Sequence, residues 1–230
     1  RRWGPLSARE RRVLGVLVEK QKTTPDAYPM SISALVTGCN QKSNRDPVTS
    51  YDADDVEQTL IGLRKKGAVF QVEGSGRVEK WRHNLYEWLD LKGQAAAMAV
   101  LTELLLRGAQ TVGELRGRAA RMDPIEDLDA LQPILDRLAE KELIVYLTPP
   151  GQRRGVVVTH GLLPPEELER VRQTAAQAAD REDEEPRTTR SSSSGLAAEV
   201  AALRAEVETL RGAVETLSTE VQTLKAALGD

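Results

Sequence analysis

Between residues 196 and 228, aliphatic side chains recur at alternating steps of four and three. Leu196, Leu203, Leu210, Leu217 and Leu224 occupy the d positions of a heptad, and Val200, Val207, Val214, Val221 and Leu228 occupy the a positions. A seam with this period is buried when the segment is helical and supercoils with another helix. β-Branched residues at a with leucine at d favour two parallel strands. The charges agree, since Glu199, Glu206 and Glu220 stand at g, and Arg204, Arg211 and Lys225 stand at e five residues further on. A parallel dimer pairs g with the partner's e, whereas an antiparallel one sets like charges together. Each exposed pair contributes only about 0.5 kcal/mol, so orientation rests on their agreement. The expectation is a parallel coiled-coil homodimer, with pairing to a different chain or packing on the rest of this chain as the alternatives.

The stretch before it has no apolar residue from Asp180 to Ser194, and it holds a run of acids, Pro186 and four consecutive serines. Such a segment buries too little surface to offset its ordering entropy, so 180–195 is expected to be a flexible tether. It would hold paired globular parts at high mutual concentration without fixing their spacing. Upstream, Pro164-Pro165 opens a polar trailing helix over 164–179, whose Leu168 and Val171 could rest on the preceding domain.

Residues 5–92 and 93–163 read as two copies of one element order. In the first, Ser7 and Glu10 have capping-box spacing before a helix with Val13, Val16 and Leu17. Ser31 caps a short helix with Ile32, Leu35 and Val36, and Asp52 starts a third helix with Val56, Leu60 and Leu63, closed by Lys65, Lys66 and Gly67. Residues 68–73 and 77–82 are two strands joined at Gly74-Ser-Gly76. In the second, Ala95–Arg107 is a helix ending at Gly108, Thr111 and Glu114 form another capping box, and Asp127–Lys141 is the third helix. Strands follow at 143–147 and 155–159. Helix, helix, helix, hairpin is the order of a winged helix. The fold class expected is mainly α (α+β): two tandem winged-helix domains and a C-terminal coiled-coil helix.

From Leu6 to about Gln173 the chain resembles the YceH-like bacterial family. The resemblance is carried by Cys39-Asn-Gln-Lys-Ser-Asn-Arg-Asp-Pro-Val48, by Gly76-Arg-Val-Glu-Lys-Trp-Arg-His-Asn84 and by Leu104-Leu-Leu-Arg-Gly-Ala-Gln-Thr-Val-Gly-Glu-Leu-Arg116. It implies tandem winged-helix domains and no assigned activity.

Little here points to an enzyme. His83 and His160 each end a wing strand in separate halves, without a neighbouring Cys or His at metal-ligand spacing. Cys39 with His83 could be a nucleophile and base, but a lone cysteine after a short helix is more often a small buried apolar residue. No phosphate-binding glycine pattern occurs. The expectation is a non-enzymatic protein with no metal and no cofactor. No run of about 18 apolar residues suggests a membrane span. Arg1, Arg2 and Trp3 precede no apolar stretch, so no secretory signal is expected. Together with the single cysteine this points to the cytoplasm.

The fold order raises nucleic-acid binding, and the charges complicate it. Residues 1–92 carry 16 Lys and Arg against 12 Asp and Glu, a modest positive excess. Yet the third helices, which would lead into a major groove, begin with Asp52, Asp54, Asp55 and Glu57, and with Glu126, Asp127 and Asp129. Phosphates repel such ends. Basic and amide groups cluster instead at Asn40, Gln41, Lys42, Asn44 and Arg45, and on the first wing at Arg77, Lys80 and Arg82. Arg64, Lys65 and Lys66, and Arg116, Arg118 and Arg121, add charge elsewhere. Two readings follow. In one, the chain is a DNA-binding transcriptional regulator that uses the first wing and the 40–45 turn. In the other it is a scaffold whose winged helices bind partner proteins, with the 40–45 block serving turn architecture and Arg45 paired to a nearby acid.

Overall fold

A computed structural model of the chain describes residues 3–73, 79–148 and 155–184. The heptad segment 196–228 lies outside those residues, as do Arg77 and most of the expected tether. Among the described residues the protein is a mixed helical and sheet structure, with eight α-helices and two small antiparallel sheets.

The first half runs α1 (Ala8–Thr23), a 3-10 turn (Pro25–Ala27), α2 (Ile32–Cys39), α3 (Ala53–Lys65), β1 (Val69–Glu73), β2 (Glu79–His83) and the short α4 (Leu85–Trp88). The second runs α5 (Ala95–Arg107), β3 (Gln110–Thr111), α6 (Val112–Ala119), α7 (Leu128–Glu140), β4 (Ile144–Tyr146) and β5 (Val157–His160). The trailing helix α8 spans Pro165–Glu184, reaching five residues into the stretch read as tether.

The helix starts lie where short polar side chains can satisfy orphan amides. Ser7 with Glu10, Asp52 with Asp55 and Thr111 with Glu114 form reciprocal capping boxes. Ser31 and Asp127 cap α2 and α7 through Ala34 N and Ala130 N. Gly67 and Gly108, at φ of 76° each, end α3 and α5 in a region that costs glycine little.

The halves repeat in detail. In each, the residues just before the second helix pair with the second hairpin strand: Met30 exchanges two hydrogen bonds with Trp81, and β3 pairs with β5 through Gln110↔Val158. In each, a histidine ends the second strand and its Nδ1 accepts the amide two residues on, His83 from Leu85 at 3.2 Å and His160 from Leu162 at 3.3 Å. The amide after each histidine returns to the start of the first strand, Asn84 N to Ala68 O at 2.8 Å and Gly161 N to Leu143 O at 2.7 Å.

Residues 1–179 form one compact unit. Its centre is the pairing of α1 with α5, where Gly15 lets Leu105 and Leu106 approach closely. Arg11 to Glu19 and Ala97 to Leu106 are continuous buried runs. A helix covered on every side is interior rather than amphipathic. α1 has its own half on one side and α5 on the other, so even its polar residues are enclosed. Leu6 N donates to Leu162 O at 2.8 Å, and Asp46 N donates to Leu106 O at 3.0 Å, adding backbone ties between the halves.

Candidate interaction surface

Two sequence blocks were candidates for contact, the 40–45 turn and the first wing, and the fold uses them differently. The turn follows α2 and must return the chain to Asp52. Asn40 caps α2 and folds its side chain onto the end of the loop: Nδ2 donates to Tyr51 O at 2.7 Å, and Oδ1 accepts from Tyr51 N at 2.8 Å and from Thr49 Oγ1 at 3.1 Å. Arg12, from α1, donates to Cys39 O at 3.1 Å and Pro47 O at 2.6 Å, which clamps both sides of the loop. Asn44 turns the chain with φ of 57°, and Gln41 is held by Lys20 and Ser43.

Arg45 points inward. Its side chain is fully enclosed, with Nη1 and Nη2 on the two oxygens of Glu19 and Nε donating to Gly38 O at 3.0 Å. Glu19, only 2% exposed, also accepts from Arg121 Nη1 at 2.6 Å. Arg121 reaches on with Nη2 to Glu103 Oε2 at 3.0 Å. Glu103 Oε1 lies 3.0 Å from Arg107 Nε, close enough for charge attraction but out of hydrogen-bond alignment. Arg107 closes the chain on Asn44 Oδ1 at 2.7 Å. Burial alone would raise Glu19, but the hydrogen bonds and charges of Arg45 and Arg121 outweigh it and hold the carboxyl below its usual range. The network runs from α1 through the 40–45 turn to α5 and the end of α6, and so locks the two halves together.

The 40–45 block is therefore mostly architecture. Asn40, Asn44 and Arg45 have their polar groups committed, and burial puts Arg45 out of reach of any phosphate or partner. Lys42 alone in the block stands exposed without such a role. The arginines after Thr111 are committed too: Arg116 holds Ile125 O and Glu126 O, Arg118 holds Gln110 and Glu114, and Arg121 belongs to the network. The acids leading the third helices also have local work. Asp52 and Asp55 complete a capping box, Asp55 pairs with Arg9 at 2.8 Å, and Asp127 caps α7.

The first hairpin, β1–β2, differs, for its described part leaves Phe70 and Arg82 exposed. The register sets Phe70 opposite Arg82 and Val72 opposite Lys80, so these four share the hairpin's outer face. The Arg82 guanidinium stacks over the Phe70 ring at 5.3 Å, and Phe70 is 41% exposed. The inner face carries Trp81 and His83 into the core. At the hairpin's base, Arg64 lies over the Trp81 ring at 5.9 Å and donates to Gln71 at 2.6 Å, next to the exposed Lys65, while Lys66 pairs with Glu10 Oε1 at 2.6 Å. Arg77, the remaining wing candidate, lies outside the described residues.

Neither histidine is disposed as a base. His83 Nε2 faces Gln21 Oε1 at 2.6 Å, and burial aided by Lys22 and Arg82 lowers its pKa to about 4. Burial lowers His160 to about 3. Burial also pushes the Cys39 thiol up to about 12, far from the thiolate a nucleophile needs. Among the described residues no cluster of His, Cys, Asp and Glu is placed to hold a metal ion, and no helix is long and apolar enough to cross a membrane.

A family described as "Protein of unknown function, DUF480" matches residues 6–152, from the first capped helix through the second hairpin's start. The chain belongs to that family. Proteins of the matching UPF0502 group share its sequence closely: one from Rhodopirellula baltica is 55% identical over 163 residues, covering 71% of this chain and 67% of that protein. A Geobacter sulfurreducens relative is 48% identical over 62% of this chain and 64% of its own length, and a Hahella chejuensis relative is 49% identical over 64% and 70%. The matched stretches thus span about two thirds of these relatives. The family match contains the whole Glu19–Arg45–Glu103–Arg107–Arg121 network and the described first wing.

Proposed function

We infer that this DUF480 family member is a non-enzymatic, tandem winged-helix protein that binds DNA through its first wing. The carrying observation is the outer hairpin face, where the exposed Arg82 and the half-buried Lys80 lie across from the exposed Phe70 and the half-buried Val72, with Arg64 and Lys65 at its base. Cations there can hold phosphates, and the aromatic can stack or wedge. Of the turn block, Lys42 adds a contact, while Arg45 supports the loop from inside. The two acid-led third helices favour a pose led by the wing over one led by a recognition helix. The seam at 196–228 is read as a parallel coiled-coil dimer that presents two such wings.

A mobility-shift series over salt concentration tests this. Binding should weaken steeply with salt, and Lys80→Ala with Arg82→Ala should flatten the log–log slope by about 2. No shift even at low salt refutes the DNA reading. The protein-scaffold reading then takes its place, supported by the acidic helix ends and by the exposed Leu128 and Tyr146 of the second half, which are 51% and 36% exposed.

A further inference from the structure

Among the described residues, Arg12 is a buried cation with no carboxylate in salt-bridge contact, Asp46 acting on it only from further off. It is 4% exposed, its two bonded nitrogens reach only the carbonyls of Cys39 and Pro47, and its Nε has no partner. Its neighbours are provided for: Arg11 is held by Glu167 and Arg107 by Glu103. Burial, and after it the nearby Arg45 guanidinium, disfavour the protonated form of Arg12, and Tyr51, Cys39 and Asp46 only partly offset them. A buried charge is stable when paired, so the site is short of one negative group.

A cleft of about 310 Å³ adjoins it, between α1, the 46–51 loop, α5 and α8. Its walls include Arg12, Tyr51, Leu104, Leu105, Leu163 and Val171. That volume lies at the lower end of ligand cavities, and an apolar wall of Leu104, Leu105, Leu163 and Val171 faces a charged rim that includes Arg11, Arg12, Arg107, Asp46 and Glu167. A planar guanidinium matches a carboxylate in geometry. The cleft's described lining holds three arginines, Arg11, Arg12 and Arg107, against two acids, Asp46 and Glu167, an excess of one positive charge that a monoanion matches. The apolar wall offers room for a short hydrocarbon body.

We propose that this cleft binds a small monocarboxylate with a short aliphatic tail, whose carboxylate completes the shell of Arg12. The site is independent of DNA binding, because it lies on the face of α1 that meets α5 and α8 and uses no wing residue.

Isothermal titration of the full chain with hexanoate, without nucleic acid, provides the test. Saturable one-to-one binding with Kd below about 1 mM is expected, with hexan-1-ol and inorganic phosphate each at least about tenfold weaker. Two variants locate the site, each first shown to be folded by circular dichroism. Arg12→Gln removes the charge, and Val171→Trp fills the cleft from the half-buried face of α8 without touching the loop clamp. Both should weaken hexanoate by about tenfold or more. The proposal is overturned by absence of saturable binding, by phosphate or hexan-1-ol binding as tightly as hexanoate, or by undiminished binding in folded Val171→Trp. If Arg12→Gln fails to fold, the Val171→Trp result decides.

Discussion

Replacing Arg45 with methionine separates its two possible roles. The Arg45 side chain has no solvent exposure, and it holds both oxygens of Glu19, Gly38 O and Asn44 O. Methionine fills much of the same volume but bonds none of them. Glu19 would be left 2% exposed with Arg121 as its one remaining cation, and Arg121 is itself 26% exposed. Removing one partner of a buried ion pair typically costs 3–5 kcal/mol, because an uncompensated charge stays behind. With Arg121 still in place the lower end applies, about 3 kcal/mol. For a unit of this size that corresponds to a fall in Tm of about 6–12 °C. The thermal transition followed by circular dichroism at pH 7 reads it directly. Glu19→Gln with Arg45→Met should cost less than the sum of the single changes, with a coupling above about 1 kcal/mol. An Arg45 that served as a surface contact would leave the transition where it was. A Tm within about 2 °C of the parent would show that the network does not lock the halves, and the structural argument would fail.

Acid sensitivity should appear in two windows. His83 and His160, at about 4 and about 3 when folded against about 6.5 unfolded, are protonated first in the unfolded chain. Stability should therefore fall as pH drops below about 6.5, by about 1.4 kcal/mol per unit for each histidine, and level off near the folded values. Urea titrations at pH 7, 6 and 5 measure this, and His160→Gln should reduce the slope. Glu19, whose folded pKa is depressed, adds a loss only at lower pH, below the unfolded carboxylate value. Gly161→Ala should cost about 3 kcal/mol or more in urea unfolding, because its Cβ would lie 2.0 Å from Glu142 O, a backbone atom that cannot retreat. Gly117→Ala, in the exposed middle of α6 with nothing within 4 Å, should instead stabilise by about 0.5–1 kcal/mol. Leu210→Asp with Val214→Asp should halve the mass seen by light scattering, and an unchanged mass would refute the coiled-coil dimer.

What was legible in the sequence was local. Ser7, Ser31, Asp52, Thr111 and Asp127 announce their helices because a cap acts within three residues, and each is an N-cap in the structure. The short α4 has no side-chain cap and β3 is two residues long, so neither leaves a periodic signal. The network was hidden for a different reason. Glu19 meets Arg45 across 26 positions and Arg121 across 102, and no local pattern marks such partners. Glu19 reads as an exposed charge on an amphipathic helix until α5 is known to cover that side. The unusual composition of residues 39–48 was visible as a signature, but composition alone could not say whether it faced a ligand or the second half.

That outcome shifts where function should be sought. The two halves share a scaffold down to the histidine that ends each hairpin, yet they treat their cations differently. In the second half the arginines of α6 and its C-terminal turn are bound to its own backbone and acids, or to Glu19. In the first, Lys65 and Arg82 remain exposed and Lys80 half-exposed, with Arg82 stacked on an exposed phenylalanine. An exposed Phe70 carrying a stacked guanidinium is of little use to the core, because neither group is buried by it. Among the described residues, this contrast is what the proposed DNA reading requires, with the first half as the binding half and the second as its brace. The Glu19 network supplies the brace, since it fixes α1 and the turn behind α2 to α5 and to Arg121 after α6.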